Sequence, residues 1–277
     1  MRSSPISDPL DWLVASSEGC LCPGSVDRLL LASMGGRCRG GFVVEACSGL
    51  RFYVPCSHVE WAWASIVHVA CLDDYGVLRL GLVRGVVVDA GGGFGVFAAA
   101  AAQAGAERVY VLEPASVARR LVEDAAAALG LEGRVVVLPY ALAGGSGRRR
   151  LLVAGNVVNS SLVEGYPSSR GVDVAGVEEV EAVTFSRLLG LLGVERVDLL
   201  KLDVEGLEVE ILEDMAAGGG LERVGCAAVE AHSRSAWLRV RVLLSGPGMR
   251  LLWLWGDDEF HQYFATACWP SRATGAV

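Results

Sequence analysis

The stretch GVVVDAGGGFGVF, residues 85–97, limits the folds open to this chain more than any other. Consecutive valines fit a strand buried on both faces, as in a parallel sheet covered by helices. The run stops at Asp89, and glycines follow at alternate positions, Gly91, Gly93 and Gly95. Such a sequence is oily, then acidic, then nearly bare. A strand feeding a tight turn and the N-terminus of a helix requires that order. Glycines there let the chain turn and let a ligand lie against backbone.

The pattern then repeats. GVFAAAAAQAG reads as a helix and RVYVLEP as a strand. SVARRLVEDAAAALG reads as a helix with Val117, Leu121, Ala125 and Ala128 on one face, and RVVVLPYAL as a third strand. This is βαβαβ. RRRLLVAG and EEVEAVTF follow as an antiparallel pair around a polar segment. Then come the helix SRLLGLLG, the strand VDLLKLDVEG, the helix LEVEILEDMAAGG, the strand CAAVEAH, and two late strands joined by GDDEF. A chain of 277 residues, just over half of them apolar, suits one large α/β domain with an extension. The division expected is an N-terminal extension or lid over residues 1–84 and the main domain over 85–277. In the extension, SVDRLLLASMGG reads as a helix capped by Ser25, FVVEACSGLRFYVPC as two strands around a Ser-Gly turn, and VEWAWASIVHVACL as a helix with Trp61 and Trp63 on different faces.

Composition narrows the partners. A formal net charge of −8 repels phosphate backbones, so no nucleic acid is expected; Arg148, Arg149 and Arg150 read as the solvated start of a strand. The longest oily stretch, near residues 86–104, holds Asp89 and several glycines, so no membrane span is expected. MRSSPISDPL lacks the apolar core of a signal peptide, which leaves a cytoplasmic location. Of eight cysteines, five lie early, at Cys20, Cys22, Cys38, Cys47 and Cys56. Their spacing is wrong for a zinc knuckle. Free or buried thiols are expected ahead of disulfides, and no metal is assigned.

The ligand follows from charge and spacing. Asp89-x-Gly91-x-Gly93-x-Gly95 places Val96 where a dinucleotide fingerprint needs glycine. An acid before the first glycine suits a cation better than a diphosphate. S-adenosylmethionine, with a sulfonium and an ammonium, is such a ligand. Glu113 closes the second strand, where an acid accepts from ribose hydroxyls. Tyr140 and Ala141 on the third strand are candidates for the adenine side. Lys201, Asp203 and Glu205 alternate at the end of a central strand and so share a face, which is costly unless they pair or serve a site. Asp203 is the first candidate for base or acceptor orientation. Lys201 would tune it, and His232, two residues after Glu230, is a rival base. Asn159, Ser160 and Ser161 sit in the polar insertion and are assigned to a lid over cofactor or acceptor. Aromatic residues Trp253, Trp255 and Trp269 could stack on a sugar acceptor, but core packing is the preferred reading.

These residues resemble a known family. VVVDAGGGFG, VYVLEP, NSSLV, VTF, DLLKLDVEGLEVEIL and VEAH follow the order and spacing of the FkbM family of S-adenosylmethionine-dependent methyltransferases, over residues 85–232. The acid–glycine turn is generic to class I methyltransferases; KLDVEG preceded by NSS is more specific. The resemblance implies a Rossmann-like class I methyltransferase fold with a mostly parallel seven-stranded sheet, helices on both faces and a β-hairpin insertion. It also implies methyl transfer to a hydroxyl oxygen of a sugar, glycolipid or other small-molecule acceptor. DAGGGFG departs from the usual D-I-G-A-N-x-G. The alternatives are a nicotinamide-dependent oxidoreductase on a related fold and a catalytically degenerate cofactor-binding module.

Overall fold

The computed structural model describes residues 8–246, 248–258 and 261–270. The expected absence of a leader at the N-terminus and part of the GDDEF turn therefore concern residues outside those described.

The N-terminal segment contains α1 (Pro9–Ser17), α2 (Pro23–Ser33), the strands β1 (Gly41–Glu45) and β2 (Arg51–Pro55), and α3 (Val59–Ile66), which runs into a π-helical turn (Val67–Leu72). The main sheet is built from β3 (Gly85–Ala90), β4 (Ala106–Leu112) and β5 (Val135–Leu138), with α4 (Val96–Gln103) and α5 (Ser116–Leu129) between them. β6 (Tyr140–Leu142), β7 (Gly147–Ala154) and β8 (Val174–Val183) form a separate three-stranded sheet of order β6-β8-β7, with the short α6 (Tyr166–Ser169) between β7 and β8. The chain then returns to the main sheet through α7 (Phe185–Leu192), β9 (Val197–Leu202), α8 (Glu208–Ala217), β10 (Val224–Ala231), α9 (Arg234–Ser245), β11 (Arg250–Asp257) and β12 (Gln262–Cys268).

The seven strands lie in the order β11-β12-β10-β9-β3-β4-β5. β3, β4, β5, β9 and β10 are parallel, and β12 runs antiparallel to both its neighbours. This is the seven-stranded, mostly parallel arrangement expected. The order reverses at β3: the chain moves outward through β4 and β5, then crosses to β9. A crevice forms at the carboxyl ends of strands where the order reverses, and ligands bind there. Burial on both faces explains the strand composition. Val87 and Val88 point to opposite faces, and both are fully buried. One face is shared with the N-terminal segment, whose Phe52, Trp63 and Ile66 join Val87, Phe97 and Leu199 in one apolar cluster.

Several expectations are corrected. RVVVLPYAL is two strands, because Pro139 has no N–H to continue the ladder and β6 leaves for the second sheet. The insertion is thus a three-stranded sheet, not a lone hairpin. On α5 the buried residues are Ala118, Val122, Ala125, Ala126 and Leu129, and Val117 is exposed. α2 starts at Pro23 after Cys22; Ser25 instead accepts from the Glu45 N–H at 2.8 Å. Trp63 is fully buried and Trp61 exposed, as the two-face reading required. The cysteines are mostly paired, as Cys20–Cys71, Cys38–Cys56 and Cys226–Cys268, leaving Cys22 and Cys47 as thiols. The last pair joins residues directly opposite on β10 and β12. No helix is long and apolar enough to cross a membrane among the described residues.

Candidate active site

A cavity of about 990 Å³ opens above the carboxyl ends of β3, β4, β9 and β10. Its floor is the bare turn after β3. Gly91 has a left-handed φ of +86°, and a Cβ there would collide with the Asp203 carbonyl oxygen. Glycine is therefore required for β3 and β9 to sit side by side at this point. Gly93 and Gly95 are also left-handed. At Gly93 a Cβ would meet only Val158 at 3.5 Å, whereas Gly95 packs against α5 at Val122 and Ala125. Gly93 thus faces the cavity, and Gly95 lets two helices approach.

Beneath the turn, neighbouring strands bring opposite charges together. Asp89 and Lys201 are directly paired across β3 and β9. Lys201 Nζ lies 3.0 Å from Asp89 Oδ1 and 3.3 Å from Asp203 Oδ2, and donates to the Gly91 carbonyl at 2.7 Å. Burial alone would lower the Lys201 pKa, but the two carboxylates outweigh it and hold the ammonium above its ordinary value. Asp89 is fully buried and does not line the cavity, whereas Lys201 and Asp203 do. The carboxylate read from sequence as facing a cationic ligand is therefore already neutralised by Lys201.

Glu113 closes β4 and lines the same cavity. Its oxygens accept from the Gly93 N–H at 3.0 Å and the Ala115 N–H at 2.9 Å, so it braces the glycine turn. Burial pushes its carboxyl up to about 7, against the opposing effect of those two hydrogen bonds. Ala141 lines the cavity, but Tyr140 does not. Tyr140 lies outside the lining although Ala141 and Leu142 of the same strand belong to it, so the stacking role for Tyr140 is not supported by its position.

A polar cluster occupies the other side. Glu205 sits beyond β9 with a left-handed φ of +56°. His232 follows β10. Its Nδ1 lies 3.0 Å from Glu208, and its Nε2 lies 3.4 to 3.6 Å from Glu205, Asp203 and Glu230. Burial would lower the imidazole's pKa, but these carboxylates reverse the sign and hold it well above the ordinary value. Glu208 accepts from the N–H groups of Val204 and Gly206 at 3.1 Å each, and so anchors the loop after β9. Asp203, Glu208 and His232 each present a ligand-type atom within 4.8 Å of the others, a spacing able to hold a cation. Asp203 also receives the Tyr75 hydroxyl at 3.1 Å; Lys201 and His232 together outweigh burial and hold its carboxyl below the ordinary value. Tyr75 lies equally 3.1 Å from Glu230, whose carboxyl burial pushes up to about 8.

Asn159 and Ser160 line the cavity; Ser161 does not, and instead donates to the Glu205 carbonyl at 2.7 Å. The three thus divide into cavity wall and loop anchor. Trp253, Trp255 and Trp269 lie outside the cavity lining, and Trp12 and Trp61 of the N-terminal segment lie in it. Glu208, Tyr75, His68 and Asp74 were missed in sequence. The run HVACLDDY was the available signal for the last three, but nothing in its spacing says that it reaches β9.

Residues 89–251 match the family model described as Methyltransferase FkbM domain. Among solved structures, similarity is found to an FkbM methyltransferase from Methylobacillus flagellatus KT, with 16% identity, 77% of this chain and 55% of that chain covered, and a TM-score of 0.48. It is also found to M. capricolum TrmK in complex with S-adenosyl-homocysteine, with 9% identity, 73% and 70% covered, and a TM-score of 0.47. A third is a precorrin-6y C5,15-methyltransferase from Geobacter metallireducens GS-15, with 14% identity, 72% and 89% covered, and a TM-score of 0.42. The chain spans about half the length of the M. flagellatus protein. No curated protein matches the sequence.

Proposed function

The chain belongs to the FkbM methyltransferase domain family, and from that premise we propose that it methylates a hydroxyl oxygen of a sugar or other small-molecule acceptor, using S-adenosylmethionine. When bound, that cofactor supplies an activated methyl carbon on a sulfonium. The residues present fit it. The Gly91–Gly93 backbone is open to the cavity, Glu113 stands beside it with unused lone pairs for ribose hydroxyls, and Leu112, Ala141 and Leu142 supply apolar wall for the adenine. The volume, about 990 Å³, stands at the upper end of the roughly 300–1,000 Å³ usual for small-molecule clefts and leaves room for a second ligand.

The observation that carries the reading is the buried Asp89–Lys201–Asp203 chain, which opens into the cavity at Asp203, beside the glycine turn. On this reading it supplies an acidic oxygen for the acceptor, close to the turn that would carry the methyl donor. Asp203 orients the acceptor hydroxyl; Lys201 holds Asp203 ionised and the turn in place; Glu205 and Glu230 shape the far wall. Alignment of this kind supplies much of the rate of a bimolecular displacement. A small acceptor, rather than nucleic acid, is supported by the net charge of −8 and by the carboxylates around the cavity. On location, three disulfides suit an oxidising compartment or the disulfide-rich cytosol of a hyperthermophile, and a cytoplasmic site goes with the second.

The test is incubation of the protein with cell extract and isotopically labelled methyl donor, followed by mass spectrometry. Label in a small-molecule or glycan O-methyl group is expected. Label in RNA or protein overturns the acceptor class, and no label at all counts against the methyltransferase reading itself.

A further inference from the structure

Alkylation of an alcohol requires a group that takes the hydroxyl proton. The two residues that sequence offers are poorly suited. Asp203 faces Lys201 and accepts from Tyr75, which hold its carboxyl below the ordinary value and make it a weak base. His232 is nearly buried, and both its ring nitrogens already face carboxylates, Nδ1 that of Glu208 and Nε2 those of Asp203, Glu205 and Glu230, so neither is left unengaged for an acceptor hydroxyl.

A third group lines the same cavity from the N-terminal segment, outside the matched residues 89–251. His68 lies in the π-helical turn after α3, a distortion often found at functional sites. The chain then reverses through Asp73, left-handed at φ +51°, whose carboxylate accepts from the N–H groups of Leu78 and Arg79. The reversal brings Asp74 back under His68: Asp74 N–H donates to the His68 carbonyl at 3.0 Å, and its Oδ2 lies 2.5 Å from His68 Nδ1. Asp74 is almost completely buried, and Trp253 Nε1 donates to its carbonyl at 2.8 Å, so the dyad is fixed from two sides. The Trp12 ring packs on the imidazole with centroids 5.5 Å apart. Nε2 of His68 has no hydrogen-bond partner among the described residues, and about a quarter of the side chain is exposed. The next residue, Tyr75, bonds to Asp203, so the dyad is tied directly to the group that orients the acceptor.

We propose that His68 is the general base of the transfer, with Asp74 as the residue that positions it. This rests on the methyltransferase reading above. The acceptor oxygen bonds to the methyl carbon as the carbon–sulfur bond breaks, and the bonding pair goes to sulfur. The hydroxyl proton goes to Nε2 of His68, and Asp74 stabilises the imidazolium formed. A carboxylate on Nδ1 fixes the tautomer that leaves Nε2 free to accept. The charged groups facing His68 are Asp74 and, across the cavity, Asp203 and Glu230; together they outweigh burial and raise its pKa.

Two measurements decide it. In histidine-¹⁵N-labelled protein, with the His68 signals assigned by loss in His68→Gln, neutral His68 should carry its proton on Nδ1 and titrate above 6.5. A proton on Nε2, or an imidazolium persisting through pH 9, overturns the proposal even if no acceptor is known. In the labelled-donor incubation with cell extract, His68→Gln should cut transfer at least ~100-fold, the span of general-base catalysis, while calorimetric binding of S-adenosylmethionine is unchanged. Asp74→Asn should reduce transfer and shift the rate profile towards lower pH. Transfer retained in His68→Gln overturns the role of His68. Absence of transfer by the wild-type protein counts instead against the methyltransferase reading, and the tautomer measurement still decides His68.

Discussion

Asp89 and Lys201 face each other in register on adjacent parallel strands, with Lys201 Nζ 3.0 Å from Asp89 Oδ1 and both side chains almost wholly buried. An ion pair removed from water is poor evidence of stability, but breaking one strands a charge. Replacement of Lys201 by methionine leaves Asp89 and Asp203 without their common cation. The expected loss is about 3–5 kcal/mol of unfolding free energy, measured by urea denaturation. The double variant Asp89→Asn, Lys201→Met should recover part of it.

Stability should fall from neutral to alkaline pH. Glu230 and Glu113 are raised in the folded protein to about 8 and about 7, so the folded state retains protons that the unfolded chain has released. Their contribution is complete below the unfolded carboxyl pKa and is lost as pH rises through 7 to 8. The raised imidazole of His232 acts in the same direction. Denaturation midpoints measured from pH 6 to 9 should decline, and Glu230→Gln should flatten the decline.

Gly91→Ala should be severe. The new Cβ would sit on the Asp203 carbonyl, at a φ that L residues rarely adopt. The variant should lose cofactor binding, read by calorimetry, together with a large share of its stability. Gly93→Ala meets only Val158, so it escapes the steric clash, but its left-handed φ of +52° should still cost about 1 kcal/mol of stability, far less than Gly91→Ala, while binding weakens.

Two thiols should react in the denatured, unreduced protein, at Cys22 and Cys47. Reduction should lower stability by about 2–4 kcal/mol per bridge, because bridges 51, 18 and 42 residues apart restrict the unfolded chain. A thiol titration and a melt with and without reductant check both statements.

The central sheet was legible because strands buried on both faces must be apolar throughout: the valines of β3 and the leucines of β9 allow little else. The glycine turn was legible for a similar steric reason. What failed was whatever depends on neighbours in space. Asp89 and Lys201 are 112 positions apart in sequence, and no local pattern announces that β3 and β9 adjoin. The stripe on α5 was misjudged because alanines occupy both candidate faces and give similar periodicity. α1 and α9 were not anticipated; RSAWLRVRVLLS alternates arginine with apolar residues, which blurs the helical period. Disulfide pairing is hidden in principle, since eight cysteines admit about 105 complete connectivities. Likewise, His68, Asp74 and Tyr75 lie in the least legible part of the chain, and only folding of that segment over the sheet carries them to Asp203.

Calorimetric titration of S-adenosylmethionine into the wild-type protein and into Glu113→Ala bears most directly on the account. Saturable binding by the wild-type protein is predicted, with affinity about tenfold or more weaker in the variant, in line with the loss of a hydrogen bond to a charged group. NADH should give no heat. An equal affinity in the two proteins, or tight binding of NADH in place of S-adenosylmethionine, contradicts the assignment of this cavity.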